Sequence, residues 1–364
     1  MKFIPLVVMA ILLTGAFTSS CRHYPTTPPT DSTKCDTCCD TCHTDTTHPP
    51  PCDTCNLDKD SLSHAFVWTE YSIPEDPSPT GVWVFGDNDI HIVGNYLWHF
   101  DGSTFTKIHT VNNKTGITMD GGLNGANIFA FAKDDYWMVH GSIAYHCTYS
   151  TPGDYFDEYR PGSTNACWGT SSNDIFIVGN SGQIHHFDGK KFTDMVSGTT
   201  KRLSSVWGTS HNDVWATGYN SSTDESILLH YDGNSWTEDA FSTSGQAREY
   251  GIGNVWATDS AGHRLAVISG TYVFRKTDDG PWRKDTSDLH NGLGGHSYVG
   301  IAAYGGTPDN MIAAGGWGYI SHWNGKTWHW YDKFFDYSNA IYGAAAISVK
   351  GNTACIVGVK NGCW

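Results

Sequence analysis

The sequence predicts an all-β protein, a seven-bladed β-propeller of four-stranded antiparallel blades. The first observation is a repeat, because residues 205–218 closely copy residues 166–179. The second is the repeat period of roughly 40–45 residues, which is typical of propeller blades. The third is the content of each unit, which consists of short aromatic and β-branched runs that pack well in a sheet covered on both faces.

One unit contains four short runs that predict the four strands of a blade. Asn212-Asp213 forms a tight turn between the first and second strands. Asp232-Gly233 supplies the positive φ angles of a two-residue hairpin between the third and fourth. The predicted strands are residues 205–208, 214–217, 227–231 and 235–237.

Aligning the units on the end of the second strand predicts seven of them. The aligned residues are Gly94, His140, Gly179, Gly218, Gly270, Gly315 and Gly358. The last unit stops before a fourth strand, and residues 65–70 read as a strand that precedes the first unit. We therefore expect this N-terminal strand to pair into the last blade and to close the ring, covering an open sheet edge.

The chain divides into three predicted regions. Residues 1–20 resemble a bacterial lipoprotein signal, since a short basic start and an apolar run precede Thr18-Ser19-Ser20-Cys21. Lipidation is expected at Cys21, and the alternative is an ordinary secretory cleavage near Ser20. Residues 21–62 are a Thr-, Pro- and Cys-rich tether without apolar periodicity, and residues 63–364 form the propeller. The predicted location is the outer membrane, the cell surface or the medium.

Charge limits the classes of partner. Lys and Arg number 22 against 37 Asp and Glu, a net charge of −15. A negative protein is unsuited to nucleic acid and to anionic membrane surfaces. We expect membrane contact only through the N-terminal lipid, and a monomer.

The tether carries three copies of Cys-Asp-Thr-Cys, for which disulfides in an oxidising compartment are the favoured interpretation. Zinc ligation by thiolates is one alternative. Covalent attachment of haem c is another, because Cys39–His43 satisfies CxxCH. The residues are Cys35, Cys38, Cys39, Cys42, His43, Cys52 and Cys55. Cys147 with Cys167, and Cys355 with Cys363, are candidate disulfide pairs in the propeller.

Histidines recur two residues before the hairpin Asp or Asn of four units, at His99, His186, His230 and His322. A catalytic base is needed once, so this recurrence predicts a structural hydrogen bond within each blade. The aspartates that start the second strands are expected to accept backbone N–H groups of the tight turn. They are Asp89, Asp135, Asp174 and Asp213.

No nucleophile elbow, HExxH, phosphate-binding loop or EF-hand loop is present, so neither a catalytic residue nor a metal site is assigned in the propeller. Long, divergent loops share one face, and their unrepeated polar and aromatic residues are the predicted ligand site. Acids converging at the mouth of the channel would favour a carbohydrate-active enzyme, and an aromatic patch would favour binding. The candidates are Tyr219, Glu225, Arg248, Glu249, Tyr250, His290, His296, Trp317, Phe335 and Tyr337.

The repeated pattern VWGTSxNDVWAxG…HYDGxxWT resembles secreted bacterial β-propeller repeat proteins, loosely kelch- or BNR-like, some of which carry a provisional glucosyltransferase label. The resemblance covers residues 63–364 and implies the fold, and it transfers no catalytic residue. The predicted function is an exported, lipid-anchored module that binds glycans or proteins, or a scaffold. The alternatives are a carbohydrate-active lyase, hydrolase or transferase, and a redox protein with haem c on its tether.

Overall fold

The computed structural model describes most of the predicted propeller and one segment before it. The described residues are 7–14, 66–75, 79–149, 154–220, 223, 225–260, 263–269, 272–285, 298–303, 309–315, 320–331, 342–350 and 353–360. Within them no helix is long and apolar enough to cross a membrane. The described part of the chain contains one α-helix, α1 (Gly245–Tyr250), and two 3-10 turns, at Asn180–Gly182 and Ala240–Thr243.

The described chain is all-β and is a propeller, as predicted. Six sheets are each formed by strands consecutive in the chain. The first two blades contain β3 (Gly81–Gly86), β4 (Asp89–Val93), β5 (Leu97–Phe100), β6 (Phe105–Lys107), β7 (Thr110–Asn112), β8 (Thr118–Met119), β9 (Asn127–Ala132), β10 (Asp135–His140), β11 (Ile143–Tyr149) and β12 (Asp154–Tyr159). The third and fourth contain β13 (Ala166–Ser171), β14 (Asp174–Val178), β15 (Ile184–Phe187), β16 (Phe192–Met195), β17 (Ser205–Ser210), β18 (Asp213–Asn220), β19 (Glu225–Tyr231) and β20 (Trp236–Glu238). The fifth and sixth contain β21 (Asn254–Ser260), β22 (His263–Ser269), β23 (Val273–Thr277), β24 (Arg283–Lys284), β25 (Tyr298–Ala303), β26 (Met311–Gly315), β27 (Ile320–Trp323) and β28 (Trp328–Trp330).

The prediction of seven regular blades is corrected in two respects. Six blades, not seven, form from consecutive strands, and the second of these has six strands rather than four. Its additional strands lie in residues 110–125, one of the long, divergent loops that the sequence predicts. There β7 pairs in parallel with β12, and β8 pairs with β7. The residues of this connection therefore extend a blade instead of standing free on the variable face.

The remaining sheet is composite. It contains β1 (Val7–Thr14), β2 (Val67–Ser72), β29 (Tyr342–Lys350) and β30 (Thr353–Lys360) in the order β2-β1-β30-β29. The N-terminal strand does join the last sheet, but it does not pair with β30 as expected. Instead β1 lies between them, antiparallel to both. Among the described residues the last unit contributes only β29 and β30 to this sheet, and β1 occupies the third position.

Neighbouring blades pack through a tryptophan and a glycine that the repeat places side by side. A Cβ added at Gly208 would lie 2.7 Å from the Trp168 ring of the preceding blade and 2.6 Å from the carbonyl oxygen of Asp213. Any side chain at this position would therefore push the two blades apart. Gly208 is thus required for the packing of the fourth blade against the third.

The recurring histidines do make structural hydrogen bonds within their blades, as predicted. Each pairs with the residue that starts the second strand, at 2.6–3.0 Å, instead of that residue binding backbone N–H groups of the turn. The pairs are His99 with Asp89, His186 with Asp174, His230 with Asp213 and His322 with Asn310, and His146 with Asp135 forms a fifth at 2.8 Å. Backbone N–H groups of the hairpins are accepted by Asp101, Asp188, Asp232 and Asn324.

His91 of β4 is an exception to this pattern, because it is buried with no hydrogen-bond partner for Nδ1. Its ring packs edge-on against the rings of Phe85 and Tyr136, with ring centroids 4.8 and 5.4 Å apart. Burial lowers the pKa of His91 from its ordinary 6.5 to about 3, and the charges of His99 and Lys133 act in the same direction. The side chain is therefore neutral in the folded protein across the physiological pH range.

We expect His91 to make the fold acid-sensitive. Because the folded pKa is depressed, stability is full above pH 6.5 and falls as the unfolded state takes up a proton below it. At pH 5 the loss is about 2 kcal/mol relative to pH 7.5. His91→Phe should remove that part of the pH dependence in urea unfolding measured at both values. Identical pH dependence in the two proteins would contradict the assignment.

A chain that begins at Cys21 lacks β1, and we expect it to lose protection in the composite sheet. Removing the strand leaves β30 and β2 with unpaired backbone groups. Hydrogen–deuterium exchange should therefore speed up in Thr353–Lys360, with β13 to β16 of the third blade as the unaffected control. Unchanged protection of β30 would mean that another segment takes the third position.

Candidate functional site

A cavity of about 430 Å³ lies at one end of the channel, where the innermost strands of the blades begin. Because strands of a blade alternate in direction, the loops between second and third strands open on the same side. Ser205 at the start of β17, for example, is paired with Thr217 near the end of β18. The cavity therefore opens on the face that the sequence identified as variable.

The rim of the cavity is polar and is fixed by hydrogen bonds between neighbouring blades. Thr80 Oγ1 donates to the carbonyl of Ala126 at 2.9 Å. Farther round the rim, Asn165 Nδ2 donates to Leu203 at 2.7 Å, and Ser204 Oγ donates to Gly253 at 2.9 Å. These bonds join the first blade to the second, the third to the fourth and the fourth to the fifth. They hold the rim groups in fixed positions before any ligand arrives.

The floor of the cavity is aromatic. Trp83, Phe129 and Trp207 line it, with ring centroids 4.8 Å apart for the first pair and 5.8 Å for the second. Trp207 Nε1 donates to the carbonyl of Ala257 in the next blade at 3.0 Å. The rings lie farther along the innermost strands than the rim residues, so the cavity is a funnel with an apolar base.

Arg202 is the one cationic side chain among the described residues lining the cavity. It is exposed, and it makes no ion pair with a described residue. No Asp, Glu or His belongs to the described lining. Cys167 also lines the cavity, but burial raises its thiol pKa far above the ordinary value, so it is a poor nucleophile.

The structure brings few of the predicted site residues together. Tyr219 lies in β18 against Gly251, and Glu225 starts β19 with Thr223 donating to its carboxylate at 3.1 Å. Arg248, Glu249 and Tyr250 belong to α1. None of these five is among the described residues of the cavity wall. His290, His296, Trp317, Phe335 and Tyr337 lie outside the described residues.

The cysteine predictions have mixed outcomes. Cys21 and the tether residues from Cys35 to Cys55, including His43, lie outside the described residues, so lipidation, disulfides, zinc and haem there stay predictions. Cys167 and Cys355 are free thiols, so neither disulfide considered in the propeller forms. Burial also raises the pKa of Cys355 to about 12.

The rim residues escaped the sequence analysis for an identifiable reason. Thr80, Asn165 and Ser204 each stand just before an innermost strand, at corresponding positions of different units. A small polar residue that recurs in several units indicates a structural role. The three residues form one surface only because the propeller places the blades side by side. Arg202 differs from its counterparts in the other units and was the available signal.

Two other places combine polar groups. A depression of about 600 Å³ lies within the third blade, where His185 Nδ1 is 2.7 Å from Asp194 Oδ1. Asp174, His186 and His211 have ligand atoms within 4.8 Å of one another, an arrangement suited to a metal ion. Although partial burial opposes it, hydrogen bonds from Thr170, His186 and His211 lower the pKa of Asp174.

Comparison with known proteins supports the fold alone. No family model matches the chain, and no curated protein matches it. Among solved structures it is similar to YCF48 bound to D1 peptide, with a TM-score of 0.59 and 16% identity over 83% of this chain and 96% of that one. YCF48 from Cyanidioschyzon merolae gives a TM-score of 0.54 at 16% identity, over 79% of this chain and 95% of that one.

A third similar structure is the extracellular domain of the putative hybrid two-component system BT3049 from B. thetaiotaomicron. Its TM-score is 0.54 at 10% identity, over 78% of this chain and 40% of that one. The class defined by fold and comparisons is therefore the β-propeller repeat protein. A particular family within that class is not identified.

We expect the indole N–H of Trp207 to stabilise the aromatic floor of the cavity through its hydrogen bond to the Ala257 carbonyl. Trp207→Phe keeps an aromatic ring but leaves the Ala257 carbonyl unpaired, at a cost of about 1–3 kcal/mol in unfolding free energy. Trp236→Phe is the matched control, since the buried Trp236 Nε1 has no partner. Equal destabilisation of the two variants would show that the indole bond contributes nothing.

Proposed function

We propose that this protein is an exported propeller that binds a polypeptide segment in the funnel at the channel mouth. The observation that carries the proposal is the combination of a fixed polar rim, an aromatic floor and one exposed arginine. A cavity of about 430 Å³ lies within the usual range for ligand pockets. It has room for a short stretch of chain or one small sugar unit.

A polypeptide matches the chemistry of the rim. The backbone of a peptide offers alternating N–H donors and carbonyl acceptors, and the rim offers amide and hydroxyl side chains. Arg202 adds a site for a carboxylate, either an acidic side chain or a chain terminus. The similarity to YCF48, a propeller described as bound to D1 peptide, supports this choice of ligand class.

The residues that line the same cavity also rank the two alternative functions, glycan binding and carbohydrate chemistry. A glycan could stack on Trp83, and this is the second candidate ligand. An enzyme of glycoside chemistry needs a pair of carboxyl groups across the scissile bond. The described wall contains none, which favours binding over catalysis at this cavity.

Export and anchoring form the second part of the proposal. We infer that residues 1–20 direct export, that Cys21 is lipidated, and that residues 21–62 hold the propeller away from the membrane. The signal-like start and the low-complexity tether support this reading. Mass spectrometry of the N-terminal peptide tests it, with Cys21→Ser as the variant that loses the lipid.

Closure of the ring by the composite sheet is the third part. β29 contacts β25 and β26 of the sixth blade on one side and β3 of the first blade on the other. Val84 N–H donates to Ser348 Oγ at 3.0 Å across the second of these contacts. These contacts support closure of the ring through β29 and β30. Cleavage before Cys21 would remove β1 from the exported protein, so this closure does not require β1.

The binding proposal is tested with an array of ten-residue peptides, each with a free or an amidated C-terminus. We expect Arg202→Ala to weaken binding about tenfold, because a hydrogen bond to a charged group contributes roughly 1.5–3 kcal/mol. Lys190→Ala removes the same charge from an exposed hairpin on the opposite face and should leave affinity unchanged.

The outcomes separate the candidates. Binding that depends on the free carboxylate and on Arg202 supports the proposal. Binding indifferent to Arg202 overturns it at this cavity. A parallel glycan array that gives hits where peptides give none would favour the second ligand, and turnover of a hit would favour the enzyme.

A further inference from the structure

We propose that Asp174, His186 and His211 form a binding site for a divalent transition-metal ion of the zinc class, between the third and fourth blades. The site lies on the face of the short turns, opposite the funnel, and does not depend on the function proposed above. Its ligand atoms are Asp174 Oδ1, His186 Nε2 and His211 Nδ1.

Comparison of the blades shows which contact of Asp174 belongs to the repeat and which is an addition. Five blades contain a histidine paired with the residue that starts the second strand, so the bond of His186 to Asp174 is part of the repeat. His211 is an addition. It comes from the turn between β17 and β18 of the next blade, and its Nδ1 lies 2.9 Å from the same carboxylate oxygen.

The corresponding carboxylate of the next blade has a different partner. Asp213 receives Arg264 Nη1 at 3.0 Å from the fifth blade, a permanent cation that satisfies the charge of the carboxylate without a metal. At Asp174 two imidazoles can instead supply lone pairs to an ion. The donor set of two imidazoles and one carboxylate is one that zinc and its neighbours prefer.

Two of the three separations between ligand atoms are near those of a tetrahedral site, and the third is within 4.8 Å. Bond lengths near 2.0–2.2 Å place neighbouring ligand atoms about 3.3 Å apart. In the structure, Asp174 Oδ1 lies 2.6 Å from His186 Nε2 and 2.9 Å from His211 Nδ1. Side-chain shifts of well under 1 Å, with His211 nearly half exposed, would admit the ion. Exposure at His211 also leaves a fourth position for water.

Neighbouring groups hold the ligands in place. Thr170 Oγ1 donates to Asp174 Oδ2, the oxygen that the imidazoles do not contact. The His186 ring packs on Phe176, with centroids 4.6 Å apart, and lies 5.2 Å from the His211 ring. Such outer contacts fix ligand orientation at metal sites.

The experiment is a titration of the full chain with Co²⁺, followed by visible absorption, and with Zn²⁺, followed by calorimetry. We expect one equivalent of ion bound by nitrogen and oxygen, and at least a tenfold loss of affinity in His211→Ser. Serine is what the repeat places at the corresponding position, Ser172, so this variant should fold. His146→Ser, which breaks a pair without a second imidazole, is the control and should bind normally.

Ions captured by the tether are recognised by their spectrum, since cobalt bound to cysteine thiolate gives an intense near-ultraviolet band that nitrogen and oxygen ligands lack. Equal affinity in the wild type and His211→Ser overturns the proposal, as does a spectrum of thiolate ligation alone. In either case His211 and His186 are a hydrogen-bonded contact between blades and nothing more. A rise in melting temperature with Zn²⁺ that His211→Ser abolishes would confirm the site independently.

Discussion

Each sheet of this protein is stable only because its faces are covered by the sheets on either side. A four-stranded sheet with two apolar faces cannot exist alone in water. The contact of the Trp168 ring with the backbone at Gly208 shows how closely the blades must approach. The shared channel, the polar rim and the contact of His211 with Asp174 all depend on this approach.

The structural features that recur from unit to unit could be predicted from the sequence. The four-strand unit, the hairpin at Asp232-Gly233 and the structural histidines follow from spacing and turn chemistry, because those signals are local. The partner of the histidines did not follow, since the pairing of His230 with Asp213 joins residues 17 apart and depends on the pleat of two strands. The six-stranded second blade was missed because β7 pairs in parallel with a distant strand.

The candidate sites were the least predictable part of the molecule. Searching for unrepeated residues on long loops assumed that function lies where the repeats diverge. The funnel instead combines positions that recur, such as Asn165 and Ser204, around one exposed arginine. His211 did break the repeat, but on the face of the short turns, opposite the long loops predicted to hold the ligand site. Proximity between blades is a property of the ring, and one unit read alone does not contain it.

The composite sheet also determines when folding can finish. Its inner strands come from the last residues of the described chain and its outer strands from the first, so its contacts span nearly the whole sequence. Contacts of such separation form slowly, after the loop between them has closed. A chain still emerging from the ribosome has its first strand but not β30. The composite sheet can therefore assemble only after β30 has been synthesised, later than the six sheets that consecutive strands form.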